Sequence, residues 1–163
     1  MTLVDTCVWA NHFRSPHPAL VELLNEGLAG SHPFVIGELA AGNLRDRAAT
    51  LGELAALPQA RAASEAEVHH LLEARGFWGT GLGWIDLHLL ASAALSGWSL
   101  LTADRVMTQA AKYPGSELTV TYLDATPPSR SGLRSEPRPS EGVRNSISGT
   151  PKTFGGGNVV ADN

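Results

Sequence analysis

With 163 residues, 43% of them hydrophobic, the chain suits one globular domain with a modest core. No run approaches the roughly 18 apolar residues of a membrane span, the opening MTLVDTCVW lacks a basic leader followed by an apolar signal segment, and the single cysteine, Cys7, excludes an internal disulfide and a cysteine-based zinc site. The net charge of −4 is uneven: residues 1–124 carry 7 Lys/Arg against 13 Asp/Glu, or −6, and residues 125–163 carry 5 against 3, or +2. An acidic body is not a simple charge-driven nucleic-acid binder, although acids neutralised by a metal ion leave such a partner open. The expectation is a cytoplasmic protein with no membrane association, in which Cys7 serves as a small core residue.

Residues 2–9 (TLVDTCVW) form an apolar, β-branched run broken by one acid, the pattern of a buried first strand ending near Asp5. Residues 18–27 place apolar side chains at helical spacing with Gly27 as a stop. PFVI at 33–36 reads as a second short strand, 38–44 as the start of a helix, and 46–57 as a further helix ending before Pro58. Ser64 and Glu67 form a Ser-x-x-Glu capping box opening a helix through Arg75, stopped by Gly76. GFWGTGLG at 76–83 has four glycines in eight residues and is a loop. The clearest helix is 84–96, closed by Gly97; then come a strand at 98–102, a helix at 104–112 and a last strand at 119–123. Strands alternating with helices predict an α/β fold with a mainly parallel sheet of four to five strands.

Beyond residue 124 the composition changes. Of the 39 residues in 125–163, 23 are Gly, Pro, Ser, Thr or Asn, and the apolar residues have no period. Such a segment buries too little surface to offset its ordering entropy, and is expected to be a disordered tail on a folded domain of residues 1–124.

The chemical signal lies in where four acids sit. Asp5 lies within LVDTCVW, Glu38 within FVIGELAA, Asp86 within GWIDLHLL, and Asp104 follows SLLTA. On a helix from Trp84, Asp86 shares its face with Leu89, Leu90 and Ala93. A lone buried carboxylate is costly unless it neutralises or meets a cation, and basic residues nearby in sequence are few. Carboxylate oxygens suit a hard divalent ion, Mg²⁺ or Mn²⁺. Strand ends and the following helix N-termini meet on one edge of a parallel sheet, so Asp5, Glu38, Asp86 and Asp104 are expected to share one pocket. Taken singly, each acid has an ordinary reading: a helix N-cap for Asp104, helix-start charge for Glu38 and Asp86, strand-end polarity for Asp5.

LVDTCVWANHFR at 3–14, IGELAAG at 36–42, IDLHLLASAA at 85–94 and LLTADRVM at 100–107 resemble the four acidic blocks of PIN domains, most closely those of VapC-type toxins of toxin–antitoxin pairs. The resemblance covers about residues 1–124. It implies an α/β/α sandwich, Mg²⁺- or Mn²⁺-dependent endoribonuclease activity, an RNA substrate, a homodimer and a cognate antitoxin that blocks the site. It places the catalytic, metal-holding acids on Asp5, Glu38, Asp86 and Asp104, with Asp5 and Asp86 as direct ligands. Thr6 falls on the family's threonine, whose hydroxyl would orient Asp5 or a bound water. Position 7, often a small polar residue in the family, is Cys7, which puts a hydrogen bond from that position in doubt.

Arg14, Arg45 and Lys112 are candidate phosphate contacts, with solvated surface charge as their more ordinary role. The six histidines have no metal-ligand spacing, and His88 is expected to point off the site face of its helix. Trp78, in the glycine-rich loop, is a packing or partner residue that could also stack on a base. Two other functions compete. An aspartyl-nucleophile phosphohydrolase needs a second Asp two residues after Asp5, where Cys7 stands. A non-catalytic PIN-like module binding RNA or protein would bind metal without cutting RNA.

Overall fold

A computed structural model describes residues 1–112 and 118–124. The 125–163 tail expected from the sequence lies outside the described residues. Four strands and seven helices follow in the order β1 (Thr2–Val4), α1 (Thr6–Arg14), α2 (Pro18–Asn25), β2 (Ala29–Gly30), α3 (Pro33–Ala41), α4 (Arg47–Ala56), α5 (Glu65–Arg75), α6 (Trp84–Ser96), β3 (Ser99–Thr102), α7 (Arg105–Ala110) and β4 (Val120–Tyr122). The sheet order is β2-β1-β3-β4, and all three pairings are parallel. No helix among the described residues is long and apolar enough to cross a membrane.

This order creates a switch point. From β1 the chain moves to β2 on one side, and from β2 it crosses through four helices to β3 on the other. In open parallel sheets the crevice between two such strands, at their carboxyl ends, is where ligands bind. The core beneath it is formed by Leu3 and Val4 of β1, Leu100 and Leu101 of β3, Leu89 and Leu90 of α6, and Met107 of α7, each 0–3% exposed.

One element assignment from the sequence holds and one is corrected. The first strand ends at Val4, beside Asp5 as expected; Asp5 is the N-cap of α1, and Cys7, Val8 and Trp9 are helical. An apolar stretch this short fits either period, and burying Val8 and Trp9 on one helix face decides it. PFVI at 33–36 is the first turn of α3 and the second strand is Ala29–Gly30. Pro33 presets the helical φ at the first position, and the His32 ring accepts the otherwise orphaned Phe34 N–H at 3.1 Å, which outweighs the β preference of Val35 and Ile36. Glu38 therefore lies in the second turn of its helix.

Other local signals act as the sequence indicates. The Ser64 hydroxyl accepts the Glu67 N–H and the Glu67 carboxylate accepts the Ser64 N–H, completing the capping box. Gly76 and Gly97 close α5 and α6 at φ of 64° and 63°, a conformation costly for any residue with a Cβ. At Gly30, a Cβ would stand 2.3 Å from the Trp98 ring, so β2 accepts that indole only because the position is glycine.

Candidate active site

Asp5 directly follows β1 and Asp104 lies two residues past β3, so the two innermost strands carry both acids to the switch point. Asp86 is in the first turn of α6, which packs on β1 and β3, and Glu38 projects from α3, which packs on α1. Asp5 is buried, Asp86 and Asp104 are half-buried, and Glu38 is exposed.

Every one of these carboxylates has one oxygen anchored. Asp5 Oδ2 accepts from the Thr102 hydroxyl at 2.7 Å and from the Cys7 thiol at 2.9 Å. Glu38 Oε2 accepts from the Thr6 hydroxyl at 2.6 Å. Asp86 Oδ2 accepts the Gly83 N–H at 2.7 Å, and Asp104 Oδ1 accepts the Val106 N–H at 2.6 Å as the N-cap of α7. The second oxygen of each, namely Asp5 Oδ1, Glu38 Oε1, Asp86 Oδ1 and Asp104 Oδ2, has no hydrogen-bond partner among the described residues. None of the four takes part in the Arg61–Glu67 ion pair, nor in any other pair seen among the described residues.

The electrostatics fit this arrangement. The Asp86 carboxyl is pushed above its ordinary range, first by burial. The Gly83 N–H works against that rise, and the charges of Asp5, Asp104 and Glu38 add to it. All three acids thus act on Asp86. They lie within electrostatic reach of Asp86, but no three Asp, Glu, His or Cys side chains among the described residues already form a metal-ligand cluster. Hard oxygen donors, one open per residue and none ion-paired among the described residues, are nevertheless the donor set a divalent ion of the Mg²⁺ or Mn²⁺ class takes.

The expectations for Thr6 and Cys7 change. Thr6 holds Glu38, not Asp5, and so ties α1 to α3. Cys7 is half-buried and hydrogen-bonds after all, its thiol pushed up to about 11, first by burial and then by the Asp5 charge. A thiol that stays protonated can keep donating to a carboxylate. Its sulfur also accepts the Ala103 N–H at 3.3 Å.

Thr102 escaped the sequence reading. Fully buried, it donates to Asp5 and accepts the Asp104 N–H at 2.9 Å, so one hydroxyl locks both strand ends. The available signal was a hydroxyl closing an apolar strand two residues before an acid. His88 is buried and packs edge-on against the Phe34 and Trp84 rings, at centroid distances of 4.7 and 4.8 Å. Trp78 is 62% exposed.

The PIN domain family model matches residues 2–113. Ribonuclease VapC32 of Mycobacterium tuberculosis, in two strains, is 44% identical over 119 residues, covering 72% of this chain and 96% of that protein. Two solved structures share the fold at low identity. VapBC2 from Rickettsia felis, bound to a DNA fragment from its promoter, has a TM-score of 0.57 at 14% identity, covering 76% of this chain and 98% of that one. FitAcB from Neisseria gonorrhoeae has a TM-score of 0.52 at 18% identity, covering 74% and 96%. A family model matched over residues 2–113 and 44% identity to a ribonuclease covered over 96% of its length, on a parallel sheet of this order, make this chain a member of the PIN-domain family.

Proposed function

We propose that the protein is a divalent-metal-dependent endoribonuclease, the toxin of a toxin–antitoxin pair, with its chemistry at Asp5, Glu38, Asp86 and Asp104. The observation that carries this reading is the set of carboxylates, each with one oxygen anchored and one open at the sheet's switch point. The 44% identity to a ribonuclease of the VapC type supports the RNA substrate. An antitoxin partner and pairing with a second copy belong to the same reading. Residues 1–124 form the nuclease domain in this reading.

Asp5 and Asp86 would hold Mg²⁺ or Mn²⁺ directly, with Glu38 and Asp104 completing the oxygen set. When bound, such an ion polarises the scissile phosphate and makes water a better nucleophile at neutral pH. The chain's own task is orientation. Thr102 and Cys7 fix the Asp5 carboxylate, Thr6 fixes Glu38, and backbone N–H groups fix Asp86 and Asp104. Anchoring one oxygen of each removes rotamer freedom that binding would otherwise have to freeze.

The test uses purified full-length protein, free of any partner, on a labelled pool of tRNA and structured RNAs in Mg²⁺, Mn²⁺ or EDTA, with Asp86→Asn alongside. Discrete cleavage that needs the ion and vanishes in the variant is expected. Ion binding by folded protein with no cleavage of any RNA would instead favour a binding module.

A further inference from the structure

A nuclease built on an acidic body must still hold a polyanion, and the distribution of its few cations shows where. Residues 1–124 carry seven Lys/Arg. Arg47 donates to the Ala40 carbonyl at 2.9 Å, and Arg61 pairs with Glu67 at 2.6 Å. Arg75 lies between α5 and α6. The other four line two open grooves, two in each. One groove, of about 660 Å³, is lined by Thr80, Leu82, Arg105, Gln109 and Lys112, with no acid among its lining residues. The other, of about 650 Å³, is lined by Ala10, Arg14, Leu39, Gly42 and Arg45, with Asp46 as its one acid.

Each groove shares an element with one of the acids, α7 with its N-cap Asp104 and α3 with Glu38. Arg105 follows Asp104 and shares a helix face with Gln109, which continues toward Lys112. Leu82 precedes Gly83, the donor to Asp86. On α1, Thr6, Ala10 and Arg14 recur every fourth residue on one face, so Arg14 lies two turns, about 12 Å, along the helix from the residue that anchors Glu38. Gly42, four residues after Glu38, is the C-cap that ends α3. Arg105 is also steadied in place, its guanidinium 5.8 Å from the centroid of the Tyr122 ring.

We propose that these grooves form a two-sided phosphate track, in which an RNA strand crosses the carboxylates with its flanking phosphates on Arg105 and Lys112 to one side and on Arg14 and Arg45 to the other. The proposal rests on the nuclease reading and adds the path of the substrate to it. A chain of regularly repeated phosphates meets both grooves while presenting one phosphate at the acid centre, a charge order that favours a nucleic-acid strand over an acidic protein segment.

The experiment measures binding of a short 5′-labelled single-stranded RNA by fluorescence anisotropy across about 50–200 mM salt, in full-length protein carrying Asp86→Asn so that no cleavage intervenes. Each double variant, Arg105→Ala with Lys112→Ala and Arg14→Ala with Arg45→Ala, is expected to weaken binding about tenfold and to flatten the log–log salt slope by about 1.4, from roughly 0.7 per phosphate contact on a single strand. Arg61→Ala, away from both grooves, changes neither. Unchanged affinity and slope in both double variants overturn the track, and if the chain with Asp86 intact still cuts RNA, the nuclease reading stands without it. Lost slope alongside an absence of metal-dependent cleavage supports the track as a binding surface and removes the nuclease. Absence of both RNA binding and cleavage removes both. Loss of a labelled octaglutamate peptide from the double variants, with RNA binding and its slope retained, assigns the grooves to a protein segment and overturns the proposal.

Discussion

The Thr6 hydroxyl donates to Glu38 Oε2 at 2.6 Å, joining the first turn of α1 to the second turn of α3 across 32 residues of sequence. This bond sets the aim of the one exposed carboxylate of the four, which has no burial to hold it. Thr6→Val should leave the fold intact and weaken Mn²⁺ binding by about tenfold, at the lower end of the usual loss when an outer-shell partner of a metal ligand is removed. Thr6→Ser should recover most of it. Calorimetric titration with Mn²⁺, beside a thermal melt in EDTA, separates lost aim from lost stability; unchanged affinity in Thr6→Val would remove the role given to this hydroxyl.

Thr102 has a different balance of consequences because it is fully buried. Thr102→Val keeps the shape but leaves the Asp104 N–H without its acceptor and Asp5 Oδ2 with the thiol alone. The expected cost is about 1–3 kcal/mol, the usual penalty for stranding buried polar groups. Urea unfolding in EDTA measures it. Cys7→Ser, which keeps a donor at the same place, should cost less than Thr102→Val.

Asp86 should make the ion-free protein less stable as pH rises. Burial and three neighbouring acids raise its folded-state pKa, so the folded state favours the neutral form. The stabilisation is complete below the ordinary carboxylate pKa and is lost as pH climbs through the raised one. Asp86→Asn, neutral throughout, should therefore melt higher than the parent at neutral pH in EDTA. Added Mn²⁺ should narrow or reverse that order, because an ion bound only by the folded parent stabilises it by mass action. Melting curves at several pH values, with and without Mn²⁺, give the comparison, and a parent more stable than Asp86→Asn in EDTA at neutral pH would contradict it.

His32 should give the opposite pH response. It is buried, its Nδ1 accepts the Phe34 N–H, and its Nε2 lies 3.1 Å from the Ser92 hydroxyl, which also accepts the Ala63 N–H. Burial, with the nearby His88 second, lowers its pKa to about 4. A depressed histidine contributes stability that is full above its unfolded pKa of about 6.5 and is lost as pH falls toward about 4. Stability should thus fall over that window, and His32→Gln should show a shallower decline. Ser92→Ala, which strands the Ala63 N–H and the histidine, should cost about 1–3 kcal/mol at pH 7.

Where one local rule dominated, the sequence was a sufficient guide. Ser64 and Glu67 bracket a helix start, Gly97 stops a helix, and Leu89, Leu90 and Ala93 mark the buried face of α6 beside Asp86. It misled where two rules competed over a few residues. Val35 and Ile36 favour a strand, but Pro33 and the His32 cap make a helix. In the candidate site, the order of the four acids along strands and helices was open to reading. Their hydrogen-bond donors were not, because Thr102 and Asp5 are 97 residues apart and meet only once β1 pairs with β3.

The sheet order also decides how this centre responds to local opening. Asp5 and Asp104 follow the two inner strands, while the margin at β4 is a three-residue strand with Thr121 and Tyr122 exposed. Amide exchange by fraying begins at such margins, where few buried contacts hold the backbone, and reaches inner strands only as opening approaches global unfolding. The amides of β4 should exchange with solvent deuterium well before those of Leu3 and Leu101. The acids are thereby attached to the most slowly exchanging part of the sheet, so their spacing outlasts the excursions that the margins make.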